Sequence, residues 1–260
     1  RQTSEEWMTK VAEEAKKKIR EFNPDIVIVF DDNACELVAK QYIDKDLPFV
    51  FCGMNGNPED YGFPAKNITG VTEREWMKES ANFIKEIIPD LQTAAILLDS
   101  SETALKTTAR IVAEGDLPFE SYEIYNINYF KDWKQTILEL QDSVDAIGLF
   151  VYFTLKDTVG ELSHNPEDVL SWTLLNNNLP EFAILNFTVE QGALCGYTES
   201  GVDQGKAAAE MALEILNGES PGNIPVKTLT DGMPLINESR AKELNILIPD
   251  HVLQKAQILK

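Results

Sequence analysis

The chain has 260 residues, with 23 Lys and Arg against 43 Asp and Glu, and a formal charge of −20. That length suits one large domain or two lobes of roughly 100–150 residues each, and 43% hydrophobic with 25% charged residues exclude wholesale disorder. So acidic a chain repels phosphate backbones and anionic lipid heads, which argues against nucleic acid as a partner, and no apolar run reaches the ~18 residues of a membrane span.

Ser4 to Phe22 reads as an amphipathic helix, capped by Ser4 and carrying Trp7, Val11, Ala15 and Ile19 at i, i+4 spacing. Asn23-Pro24 stops it. Asp25–Phe30 follows as an apolar, β-branched run typical of a buried parallel strand. Asp31, Asp32 and Asn33 are expected to cap a helix to about Tyr42, and Leu47–Cys52 is the next strand, ended by Gly53. A Gly/Pro/Asn-rich loop comes next. Helices are then expected over 73–88, 102–114, 132–143, 166–176 and 202–216, with strands at 93–98, 121–125, 146–153 and 182–185 and a short one near 194–197. Strands alternating with helices of this length mean a doubly wound α/β architecture. There are too many such units for one sheet of this length, so two lobes are expected. The chain begins at Arg1 with neither a methionine nor a signal-peptide pattern, and reads as processed or trimmed. A doubly wound lobe normally opens on a strand whereas this chain opens on a helix, so the first lobe is expected to lack a leading strand and its neighbours.

In open α/β sheets ligands bind beyond the carboxyl ends of the strands. Five strand ends here carry hydrogen-bonding groups: Asp31–Asn33, Gly53–Gly56, Asp99–Glu102, Tyr152–Thr154 and Asn186–Thr188. Chemistry is harder to find. There is no Gly-x-Ser-x-Gly, His-Glu-x-x-His, Walker or Gly-x-Gly-x-x-Gly motif, and Gly201-Val-Asp-Gln-Gly205 lacks the third glycine of a nucleotide loop. With two histidines and three cysteines, Cys35, Cys52 and Cys195, that form no Cys-x-x-Cys, neither a metal site nor a disulfide framework is signalled. No cofactor and no catalytic residue is assigned.

Asp31-Asp-Asn-Ala34, Leu47-Pro-Phe-Val-Phe-Cys-Gly-Met-Asn55 and Asn67-Ile-Thr-Gly-Val-Thr-Glu73 together resemble the ABC-transporter substrate-binding family of periplasmic type I binding proteins. Asp203–Glu210, Ile215–Gly218, Pro221–Pro225, Ile236-Asn237, Ala241–Leu244 and Ile248-Pro249 agree, in the expected order. The resemblance implies two Rossmann-like lobes with parallel sheets, residues 1–71 plus 200–226 and residues 72–199 plus 227–260, crossed near Gly70–Glu73, Tyr197–Gly201 and Val226–Thr230. It implies a small molecule, amino-acid-like or another polar metabolite, trapped by hinge closure. The contacts expected are Asp32, Asn33, Met54 and Asn55 on one lobe and Ser100, Ser101, Tyr152 and Phe187 on the other, with Glu73 and Tyr197 at the hinges. The partner would be a membrane permease, and the location periplasmic or extracellular, anchored through a missing N-terminal segment. A ligand-sensing ectodomain of a signalling protein such as a histidine kinase is the alternative, and a hydrolase using the acids near Asp31 or Asp99 the third reading.

Overall fold

The computed structural model describes residues 4–73, 76–115, 117–157, 163–229 and 232–260. The chain divides into two compact units, Gln2–Arg74 with Glu199–Asp231 and Glu75–Thr198 with Gly232–Lys260. Three passages of chain therefore join them. The expected crossing near Val226–Thr230 lies partly outside the described residues.

The first unit holds α1 (Glu5–Phe22), β1 (Val27–Phe30), α2 (Asp31–Leu37), β2 (Phe49–Met54) and β3 (Ile68–Thr72). The second holds α3 (Met77–Ile87), β4 (Thr93–Asp99), α4 (Glu102–Glu114), β5 (Ser121–Ile127), α5 (Phe130–Leu140), β6 (Ala146–Val151), α6 (Pro166–Asn176), β7 (Glu181–Ala183), α7 (Asn186–Glu190) and β8 (Cys195–Thr198). The chain then returns to the first unit as α8 (Gly201–Leu216) and β9 (Lys227–Thr228). It ends in the second as β10 (Met233–Asn237), α9 (Glu238–Glu243), α10 (Asp250–Leu253) and β11 (Gln257–Leu259).

In the first unit four parallel strands lie in the order β1-β2-β3-β9. Alternate side chains of β2 feed two cores. Phe49, Phe51 and Met54 pack with Val29, Cys35, Phe63 and Ile68, while Val50 and Cys52 meet Ala207, Ala208 and Met211 of α8. Burial on both faces explains why β2 reads as an unbroken apolar run. Gly70 lets β3 approach β2: a Cβ there would stand 2.2 Å from the Phe51 carbonyl oxygen.

The second unit has seven strands, β11-β10-β8-β7-β6-β4-β5. All its pairings are parallel except β8 with β10, which run antiparallel. Ile147 and Leu149 of β6 face Trp133, Ile137 and Leu170 of α5 and α6. Phe150 and Phe182 face Met77, Phe83, Ile84, Ala104 and Ile111 of α3 and α4. Each such fully buried aliphatic or phenyl side chain stabilises the fold by roughly 1.5–3 kcal/mol.

Ser4 and Ser101 cap α1 and α4 as their positions suggest. The Asp31 expectation is corrected. Asp31 takes a left-handed φ of +67°, and α2 has no side-chain cap. The helix expected to Tyr42 stops at Leu37, where Val38 leaves helical geometry at φ −121°, and a short 3₁₀ turn spans Ala39–Tyr42.

All three cysteines are free and buried. Burial, reinforced by Asp32 and Asp31, pushes the Cys35 thiol up to about 12, and burial with the negative field of Glu73, Glu199 and Asp31 takes Cys52 to about 11. Cys195 is raised still more plainly by burial. The thiolate is the reactive form, and at pH 8 a pKa near 11 leaves roughly one part in a thousand ionised. The folded protein is therefore expected to give no colour with a water-soluble disulfide reagent at pH 8, and three equivalents once denatured.

Candidate functional site

Parallel strands bring their carboxyl ends to one edge of each sheet, and the candidate residues gather there, unit by unit. In the first unit β1 runs into Asp31 and Asp32, β2 into Asn55 and Gly56, and β3 into Glu73. Asp32 organises this edge. Its carboxylate accepts the Asn55 N–H at 3.1 Å, the Gly56 N–H at 2.8 Å and the Tyr61 hydroxyl at 2.6 Å. The Asn55 side-chain amide donates to Glu73 Oε2 at 3.4 Å. Gly53, with a φ of +65°, sits between the Asp31 and Glu73 carboxylates, each 3.9 Å from where its Cβ would stand. Asn33 is exposed. Met54 is not at the edge: it is fully buried in the core with Phe51 and Phe63.

In the second unit Asp99, at the end of β4, is fully buried and plays the corresponding part. One carboxylate oxygen accepts the Ser101 N–H at 2.9 Å and the other the Thr154 N–H at 2.8 Å, so the segments after β4 and β6 are tied together. Ser100 is exposed, and the Ser101 hydroxyl oxygen accepts the Ala104 N–H at 3.2 Å as a helix cap. Tyr152 is 1% exposed, packed on Trp133, and its hydroxyl lies 3.0 Å from that of Thr188. Burial pushes that phenol up to about 12. The half-buried aromatics are Phe153 and Phe187, with ring centroids 5.6 Å apart. Tyr197 packs against Trp76 at 5.3 Å and edge-on to Phe83 at 6.5 Å.

The structure thus brings Asp32, Asn55 and Glu73 into one network and places Phe187 beside Phe153. Met54 and Tyr152 are instead held in the cores of their units. Phe153, Asp99 and Tyr61 are not among the contacts expected from the sequence. What brings Phe153 out is a register shift between β4 and β6 that the sequence does not mark, where Leu97 pairs with Leu149 but Leu98 with Val151. One extra residue in β6 reverses the side-chain alternation beyond it, sending Tyr152 inward. Among the described residues no group of three His, Cys, Asp or Glu is placed to hold a metal ion, and no helix is long and apolar enough to cross a membrane.

Two α/β units joined by three passages of chain, each with polar and aromatic groups at its strand ends, define the class of type I periplasmic binding proteins. The chain belongs to the ABC transporter substrate binding protein family, which it matches over residues 2–260. It is similar to the ABC domain from Streptococcus pneumonia solved in complex with L-Trp, at 26% identity and a TM-score of 0.74, covering 97% of this chain and 84% of that one. A ligand-free, open substrate-binding protein with adhesive properties from Clostridium difficile shares the fold, with a TM-score of 0.70 and 19% identity over 97% of this chain and 83% of that one. A tyrosine-binding protein of Clostridioides difficile (strain R20291) is 24% identical over 212 residues, 78% of this chain. The match spans 58% of that protein's length.

Proposed function

We propose that this protein captures an amino acid with an aromatic side chain outside the cytoplasm and delivers it to the permease of an ABC importer. The observation that carries the reading is the similarity, over 97% of this chain, to a domain solved with L-Trp. Two features of the site support it. Phe153 and Phe187 offer ring faces and edges at the strand ends of one unit, the geometry in which aromatic rings stack or meet edge to face. In the other, Asp31 and Glu73 at the strand ends and Glu199 ahead of α8 create the negative field that Cys52 feels, which suits an ammonium group. Capture works by hinge closure, to which the solute contributes only its differential affinity for the closed state.

The test is a thermal scan against the common L-amino acids followed by calorimetry. L-Tryptophan or L-tyrosine at a hundred times its dissociation constant stabilises the folded state by about 2.7 kcal/mol, raising the midpoint by roughly 5–10 °C. Glycine, alanine and aspartate leave it unchanged. A shift produced only by a non-aromatic amino acid would overturn the aromatic assignment, and none with any amino acid would overturn the solute class.

A further inference from the structure

Each unit gathers its three connecting segments into a knot of its own side chains. In the first unit the centre is Thr72, the last residue of β3. Its carbonyl oxygen accepts a hydrogen bond of 3.0 Å from the Gln204 side-chain amide. The same amide nitrogen donates to Glu199 Oε1 at 2.7 Å, so both its hydrogens are used, one on the first connection and one on the second. The Thr72 hydroxyl lies 2.7 Å from that of Thr228 and 3.3 Å from the Lys227 carbonyl oxygen, on the third. Gln204 is 5% exposed and sits in the first turn of α8, which Ser200 caps.

The second unit ties the same three connections with rings. Trp76 follows the first, Tyr197 precedes the second and Gly232 follows the third. A Cβ on Gly232 would stand 2.4 Å from Tyr197 Cε1 and 2.8 Å from Trp76 Cε2, so both rings close over the bare backbone. The buried Ser80 hydroxyl oxygen accepts the Tyr197 N–H at 2.9 Å and lies 2.8 Å from the Ala183 carbonyl oxygen, holding β8 to α3.

We propose that Gln204 is a positioning residue for solute capture: by joining Thr72 to Glu199 it makes the connecting segments turn together with the first unit, as one hinge rather than three. The inference rests on the hinge-closure reading above, but its test needs no solute. Cysteines introduced at the exposed Lys18 and Asp142, one in each unit, carry spin labels, while the three native thiols are buried. Pulsed electron paramagnetic resonance then gives the distribution of distances between the units in the otherwise unaltered chain and in Gln204→Met.

The methionine keeps the length and burial of the side chain and removes both of these hydrogen bonds, together with the long one that the amide oxygen accepts from Cys52 Sγ at 3.8 Å. It is expected to raise the population outside the original distribution about twofold to thirtyfold, the range open to a coupling residue that touches no ligand. Thr228→Val, at an exposed pair, removes the hydroxyl contact to the third connection while leaving its backbone pairing with β3, and broadens the distribution in the same sense to a smaller extent. Unchanged distributions in both variants, with only a lowered thermal midpoint, would reduce Gln204 to a structural residue and overturn the proposal. The solute-free distribution decides the clasp. The shift on adding L-tryptophan separately decides the solute reading.

Discussion

Replacing Arg240 with methionine is expected to destabilise the second unit by about 3–5 kcal/mol, lowering its thermal midpoint by roughly 10 °C, because the change strands a buried carboxylate. Glu181 opens β7 and is fully buried, and Arg240 on α9 is 7% exposed. The guanidinium Nε donates to both Glu181 oxygens at 3.2 Å, and Nη2 donates to Oε1 and, at 2.9 Å, to the Asn177 carbonyl oxygen. The Asn177 side-chain amide and the Leu194 N–H complete the carboxylate's shell at 2.7 and 3.3 Å. One ion pair thus pins the end of α6, the start of β7, the entry to β8 and the helix after β10.

The pH dependence separates a stranded charge from lost packing. Burial already raises the Glu181 carboxyl above its usual value against the pull of Arg240, and with the arginine gone nothing equivalent opposes that rise. A carboxyl whose folded pKa is raised contributes stability below its unfolded pKa and loses it as pH climbs through the folded value. Arg240→Met should therefore be least damaged near pH 5 and most damaged near pH 8. Adding Glu181→Gln should recover much of the loss at pH 8 and little at pH 5. Denaturant titrations of both variants at the two pH values check this. A deficit in Arg240→Met independent of pH would mean that packing, not charge, holds α9 in place.

How far the sequence carries depends on which physical signal each segment bears. β4, α4, α6 and α8 are found where periodicity and apolar runs place them, because each carries its own pattern: β4 is a run buried on both faces, and the helices bury one stripe and expose the other face. β3 reads as loop in the sequence, since Gly70 and Thr72 dilute a run of five residues whose identity comes from pairing with β2. β10, α9, α10 and β11 are short, and the antiparallel pairing of β10 on β8 leaves no local trace. At the site, the strand ends were legible but the direction of single side chains was not. A one-residue shift in β6 buries Tyr152. Asp32 reads alike as a ligand contact or as a loop organiser until the Asn55 and Gly56 amides are seen pointing at it.

Asp32→Asn and Asp99→Asn are expected to cost about 2–4 kcal/mol each and to weaken solute binding at least tenfold, through the loops that these carboxylates hold rather than through contact. Asp99 presents one oxygen to the Ser101 N–H and the other to the Thr154 N–H, from a fully buried position. An asparagine can face only one of those donors with its carbonyl. Either flip sets an NH₂ against a backbone N–H, leaving that amide without an acceptor where water does not reach. Asp32 has the same geometry toward Asn55 and Gly56, with the Tyr61 hydroxyl sharing the oxygen that Gly56 uses, so the least costly flip keeps those two and abandons Asn55. Hydrogen exchange on the solute-free protein reads the difference. Asp99→Asn should accelerate the Ser101 or Thr154 amide, and Asp32→Asn the Asn55 amide, while strand amides such as Ile96 and Phe51 stay protected. If exchange and stability were unchanged and only solute affinity fell, these aspartates would be touching the ligand, and the edge of each sheet would be organised by something other than its buried or half-buried carboxylate.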